Sequence, residues 1–176
     1  MNIENQSNNF SKEDEQTNLW IKSYGDSLMN YLYGMVLNWS DAEDIWQETF
    51  IKVFQSKNSY KNQGFEKTWI FKIAKNTLID FTRKDNRRPK IIEIQEEHSI
   101  DLEDASHSLE NKEILKKLNQ AVTNLPTGQR EIYLLRQRSD LTFKEISTLL
   151  NEPQSRILGR MHLAVKKIKE SIEGEL

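Results

Sequence analysis

The sequence predicts an all-α fold: two small helical domains joined by a flexible acidic linker, the C-terminal one built around a helix-turn-helix. Three observations predict it. Apolar residues recur at i, i+3, i+4, i+7 spacing over most of the chain, and no convincing strand pattern appears. Six Gly and three Pro in 176 residues are few for a turn-rich β fold. Charge comes in blocks: residues 61–90 carry net +6 and residues 91–113 net −7. The acidic block separates two amphipathic regions.

Residues 1–18 are polar and acidic, with no apolar core of a signal peptide, and read as a disordered tail. The first domain is expected over 19–89. A helix is placed around Leu19–Tyr24, and another where Leu28, Tyr31, Leu32, Met35 and Val36 share one face; Gly25 is a weak point between them. Ser40 or Asp41 reads as the N-cap of a third helix, with Ala42, Ile45, Trp46, Thr49, Phe50, Val53 and Phe54 inward. Ser56–Gly64 is a polar loop. A fourth helix runs from Lys67 to about Arg83, with Ile70, Ile73, Ala74, Thr77, Leu78 and Phe81 inward. Pro89 closes the domain, because proline disfavours helix in the residue before it.

Residues 90–111 read as the acidic linker. Lying between basic segments, its carboxylates are placed to fold back over those cations in the free chain. The second domain is expected over 112–174. Leu115, Leu118, Ala121, Val122 and Leu125 form one helix, stopped by Pro126. Gln129–Arg138 is the next, with Ile132, Leu134 and Leu135 buried. Thr142 and Glu145 fit a capping box that opens a helix through Leu150. Asn151-Glu152-Pro153 makes the turn, since Asn tolerates a left-handed cap. The last helix runs from about Gln154 to Ile172, with Ile157, Met161, Ala164, Val165 and Ile168 inward.

Composition removes several function classes. With no Cys there is neither a disulfide framework nor a cysteine-zinc site. No stretch of about 18 uninterrupted apolar residues occurs, so no membrane span is expected, and the expected location is the cytoplasm. His98, His107 and His162 read as surface histidines, and no metal or other cofactor is expected. No Ser/His/Asp arrangement, Gly-rich phosphate loop or catalytic carboxylate pair emerges, so the sequence offers no case for an enzyme.

Three surfaces carry a binding chemistry. Asp41, Glu43, Asp44, Gln47 and Glu48 line the outer face of the third helix. For an arbitrary helix this is a solvated face; the functional reading is an acidic dock for a basic helical partner. A carboxylate metal site there lacks a His at Glu-x-x-His spacing. The outer face of the fourth helix carries Thr68, Phe71, Lys72, Lys75, Asn76, Ile79, Thr82 and Arg83. Cations meet phosphates, and aromatic faces stack on unpaired bases. Trp69 divides evenly between core packing and base contact. The preceding loop offers Tyr60, Asn62 and Phe65, groups able to hold an extruded base. In the helix-turn-helix, Gln154, Ser155 and Arg156 begin the helix that would enter the major groove, with Thr142 opening its partner helix. Arg130, Arg136, Lys144 and Arg160 suit phosphates. The plainer reading is a helical hairpin used for protein contact.

Asp41-Ala-Glu-Asp-Ile-Trp-Gln-Glu-Thr-Phe50, Phe65-Glu-Lys-Thr-Trp-Ile-Phe-Lys-Ile-Ala-Lys-Asn76 and Leu125-Pro-Thr-Gly-Gln-Arg-Glu131 together resemble bacterial RNA polymerase sigma factors. The match is to the compact extracytoplasmic-function (ECF) group of the sigma-70 family. The resemblance spans about residues 19–89 and 112–172. It implies that the acidic helix docks on the clamp helices of the largest core polymerase subunit, with Asp44, Gln47 and Glu48 matching that surface. It implies that the loop and basic helix recognise and melt the promoter −10 element, with Lys72, Lys75, Asn76 and Arg83 matching. The helix-turn-helix would read the −35 element, and an anti-sigma factor is a further candidate partner. Against the family pattern, Trp46 stands where a small aliphatic is usual, and Asp140 and Asn151 stand where Gly is usual. Arg156, Leu158 and Gly159 stand where Thr, a basic residue and Ser are common, so the promoter sequence does not carry over.

The alternative is a stand-alone helix-turn-helix regulator or a helical interaction protein that shares only the C-terminal module. Such a regulator would normally dimerise on a palindrome and would not need the acidic face of residues 42–55.

Overall fold

The computed structural model describes residues 3–61, 64–85 and 109–174, with side chains over 15–61, 64–84 and 113–174. Among the described residues all regular structure is helical. In order come α1 (Ile3–Val36), α2 (Trp39–Ser56), a 3-10 turn (Lys57–Ser59), α3 (Glu66–Asp85), α4 (Leu109–Thr123), α5 (Thr127–Arg138), α6 (Phe143–Leu150) and α7 (Gln154–Glu173). α1, α2 and α3 pack into the first domain, and α4–α7 form the second.

α1 corrects the expected tail and pair of short helices: it is one helix of 34 residues. Among the described side chains its buried line begins upstream of Leu19, at Thr17, and continues through Trp20, Leu28, Tyr31 and Leu32. Gly25 does not break it. The Trp46 indole N–H donates to the Gly25 carbonyl at 3.0 Å, and a Cβ at Gly25 would stand 3.3 Å from the indole ring. Bare backbone therefore seats the tryptophan that departs from the family pattern. α1 ends where Leu37 turns left-handed, with φ 59°. The N-cap of α2 is then Asn38, not Ser40 or Asp41. Its side chain accepts from the Asp41 N–H at 2.9 Å, as a short amide does well.

Along α2, Ala42, Ile45, Thr49, Phe50 and Val53 are buried. Phe54, expected inward, is 41% exposed and carries the Lys57 ammonium 3.6 Å from its ring centroid. Along α3, Ile70, Ala74, Thr77 and Leu78 are buried.

The helix-turn-helix forms where the sequence puts it. Glu145 N–H donates to Thr142 Oγ1 at 3.2 Å, and Thr142 N–H donates to Glu145 Oε2 at 2.8 Å, completing the capping box. Asn151 takes the left-handed cap at φ 53°, ψ 44°. Ile157, Ala164 and Ile168 bury the inner line of α7. Val165, expected inward, is 48% exposed, because it lies about 100° around the helix from Ala164.

α4 begins at Leu109, inside the expected linker. The rest of that linker lies outside the described residues, and so does the expected folding back of its carboxylates. Helices bring the two domains together instead: α5 packs on α1, and α6 on α3. Leu134 is fully buried against Gly34. A Cβ at Gly34 would fall 2.7 Å from Leu134 Cδ1. Beside that contact, Arg130 Nη2 donates to the Met35 carbonyl at 3.3 Å, and Lys75 pairs with Glu131 at 3.2 Å.

Candidate nucleic-acid interface

The acidic face of α2 stands open. Glu43, Asp44 and Gln47 are exposed and Asp41 is half-buried in the first turn. Glu48 accepts from Lys52 at 2.8 Å. That bond holds the Glu48 carboxyl below its ordinary range. Lys52 also donates to Thr77 Oγ1 at 3.1 Å, tying the face to α3.

On α3, Lys72, Asn76 and Arg83 are exposed as expected, and Phe65 just before the helix is 57% exposed. Phe71 and Thr68, expected on this outer face, are buried; Phe71 is at 0% exposure, with its ring 5.7 Å from that of Tyr31. α3 is packed by α1 and α2 and also by α6, so its buried arc is wider than one core-facing period predicts. Lys75 is largely covered and paired with Glu131 of α5.

Trp69 belongs to packing. Its ring centroid is 4.8 Å from Tyr60 and 5.6 Å from Trp20. The Tyr60 hydroxyl accepts the Phe65 N–H at 3.0 Å. The three rings thus brace both ends of the loop, and Phe65 is the aromatic left at its surface. Asn62 lies outside the described residues.

At the start of α7, Gln154, Ser155 and Arg156 are all exposed. Of the four cations expected on phosphates, Lys144 is the exposed one. Arg136 lies with its guanidinium 5.7 Å from the Phe143 ring centroid. Arg160 is held by Glu152 at 3.0 Å. Arg130 is turned inward, donating to the Thr123 carbonyl at 3.0 Å as well as to Met35, and burial pushes its guanidinium below its ordinary range. Thr142 is exposed but engaged in its capping box.

Four contributors escaped the sequence reading: Trp20, Gly34, Glu131 and Glu152. The ladder Glu152, Arg156, Arg160 has the four-residue spacing of helix ion pairs and was legible. Gly34 and Glu131 act across the domain boundary, where no local spacing signals them. Among the described residues no group of three His, Cys, Asp or Glu side chains could hold a metal ion, and no helix is long and apolar enough to cross a membrane.

Comparison with known proteins gives the same two-part division. The family model for Sigma-70 region 2 matches residues 20–88, and that for Sigma-70, region 4 matches residues 115–168. The chain is 24% identical over 165 residues to the ECF RNA polymerase sigma-E factor of Haemophilus influenzae, covering 89% of this chain and 87% of that protein. It is 28% identical over 155 residues to the RNA polymerase sigma factor SigV of Bacillus subtilis, covering 88% and 90%. Its fold resembles the sigma factor RpoE solved with the anti-sigma factor NepR from Bartonella quintana, with TM-score 0.71, 20% identity and coverage of 90% of this chain and 98% of that one. It also resembles CnrH in complex with the cytosolic domain of CnrY, with TM-score 0.67, 16% identity and coverage of 93% and 91%.

Proposed function

The chain belongs to the ECF group of the sigma-70 family and is an RNA polymerase sigma factor, and from that premise we propose how its surfaces divide the work. The first domain, around residues 19–89, docks on core polymerase through Asp41, Glu43, Asp44, Gln47 and Glu48, against the clamp helices of the largest subunit. Lys72, Asn76 and Arg83, with Phe65 above the aromatic brace, take the −10 strand as it opens. Lys75 joins them once released from Glu131. Gln154, Ser155 and Arg156 read the −35 element, with Lys144 on phosphate. We place the protein in the cytoplasm, where its partners work. The stand-alone regulator is not favoured, because it leaves the acidic face of α2 without use.

The observation that carries this reading is the pairing within one small domain of an open acidic helix face and the exposed cations Lys72 and Arg83. The first calls for a protein partner and the second for a nucleic-acid strand. The test is reconstitution with core polymerase and runoff transcription from promoters selected by the holoenzyme. Defined transcript starts that require both core and this chain are expected; DNA binding with no dependence of transcription on the chain would reject it. The RpoE structure that the fold resembles contains an anti-sigma factor, and an anti-sigma partner is the corresponding proposal for this chain.

A further inference from the structure

Glu152 is an acid in the turn of a domain meant to approach DNA, where a negative charge repels phosphate. Its backbone is pinned from both sides. Its N–H donates to the Ser147 carbonyl at 3.1 Å, and the Ser147 hydroxyl donates to its carbonyl at 2.6 Å. From this fixed base the carboxylate reaches along α7. Oε1 accepts from Arg160 Nη1 at 3.0 Å. Oε2 lies 3.8 Å from Arg156 Nη1 and is buried without a hydrogen-bond donor. The Arg160 guanidinium is confined on a second side by α5, where a Cβ on Gly128 would be 3.7 Å from Nη1. Arg160 is thus tied within the protein, while the Arg156 side chain is 61% exposed beside an oxygen in want of a donor.

We propose that Glu152 is a positioning residue for −35 reading: it withholds Arg160 from the DNA backbone and aims Arg156, through its second oxygen, at one base. A fixed guanidinium makes a directional bidentate contact that discriminates between bases. A free one slides to the nearest phosphate, which every sequence offers. The inference rests on the assignment of α7 to the −35 element.

The test uses the full chain with core polymerase and a promoter library randomised over the −35 element, comparing the parent, Glu152→Gln and Arg156→Ala. Glutamine keeps the shape and one acceptor but removes the charge. Expected for Glu152→Gln is a several-fold flattening of preference at the base position that Arg156→Ala also flattens. Binding to non-preferred sequences should be retained or raised, and the log–log salt slope should steepen by roughly 0.9 for each guanidinium that moves onto phosphate. A purely structural loss would instead weaken all sequences alike and leave the slope unchanged; that result overturns the inference. So does a response to Arg156→Ala with no change in Glu152→Gln, which leaves the −35 assignment standing. Flat profiles in both variants overturn the assignment of α7 itself, and this inference with it.

Discussion

Asn151 occupies the position at which α6 must turn back, at φ 53°, and Asp140 holds a similar one before the helix-turn-helix, at φ 51°. Left-handed backbone costs an L-residue roughly 1–2 kcal/mol relative to glycine, least for Asn and Asp, whose short side chains bond locally. This accounts for both departures from the family's glycines. Asn151→Gly should hold or raise stability, whereas Asn151→Val, β-branched and forced into the same turn, should lose more than about 1 kcal/mol. For a chain of this size that is a fall of about 2–4 °C per kcal/mol in thermal midpoint. Calorimetry of the two variants checks it; a valine variant that melts with the parent would mean that the turn relaxes. The Thr142 capping box offers a parallel case, where Thr142→Ala should cost about 1 kcal/mol.

At the scale of elements, α2 presents two faces with opposite duties. Ala42, Ile45, Thr49, Phe50 and Val53 are packed, and Glu43, Asp44 and Gln47 are free to meet a partner. Asp44→Lys with Glu48→Lys should abolish binding to core polymerase while circular dichroism stays unchanged. Like charges brought together at a docking face cost several kcal/mol, and neither residue supports the core. Undiminished binding of the double variant would remove α2 from the docking surface. On α3, Lys72→Ala should lower the salt slope of open-complex formation by roughly 0.7–0.9, read by permanganate reactivity of unpaired thymines across a salt series. Each helix of the helix-turn-helix was legible in the sequence because its signals are local: the cap at Thr142, the left-handed Asn151, the apolar period to Ile168. Phe71 and Arg130 were misplaced for a single reason. Phe71 packs on Tyr31 of α1 and Arg130 reaches the Met35 carbonyl of the other domain, and helical periodicity reports only that a face is buried, not how many neighbours bury it. The start of α1 was placed too late because Thr17, a polar residue before Leu19, is buried only in the assembled domain.

At the scale of the whole molecule, the two domains touch, and that contact conflicts with the task. The −10 and −35 elements lie roughly 25 base pairs apart, on the order of 85 Å at 3.4 Å per pair. α3, assigned to the −10 strand, is packed by α6 of the domain assigned to the −35 element, so the surfaces proposed for the two elements belong to touching helices. Helices in contact do not bridge that distance under the proposed assignment, and Lys75 is meanwhile held by Glu131. The proposed division of labour therefore expects core polymerase to separate α5 and α6 from α1 and α3. Among the described residues the seam includes a largely covered ion pair, a guanidinium on a carbonyl and Leu134 seated on Gly34, beside the packing of α6 on α3. Gly34→Ala separates the domain's own stability from that of the seam. Alanine is the better helix residue by about 1 kcal/mol and should firm α1. Yet its methyl would fall 2.7 Å from Leu134 Cδ1, so the seam should loosen. With fluorophores on the two domains, the parent should lengthen its inter-domain distance when core polymerase is added. Gly34→Ala should already be lengthened in free protein, and should bind promoter DNA without core better than the parent does. A Gly34→Ala chain as compact as the parent, with unchanged binding to free promoter DNA, would show that Leu134 yields to the methyl and that this seam does not govern access to Lys75.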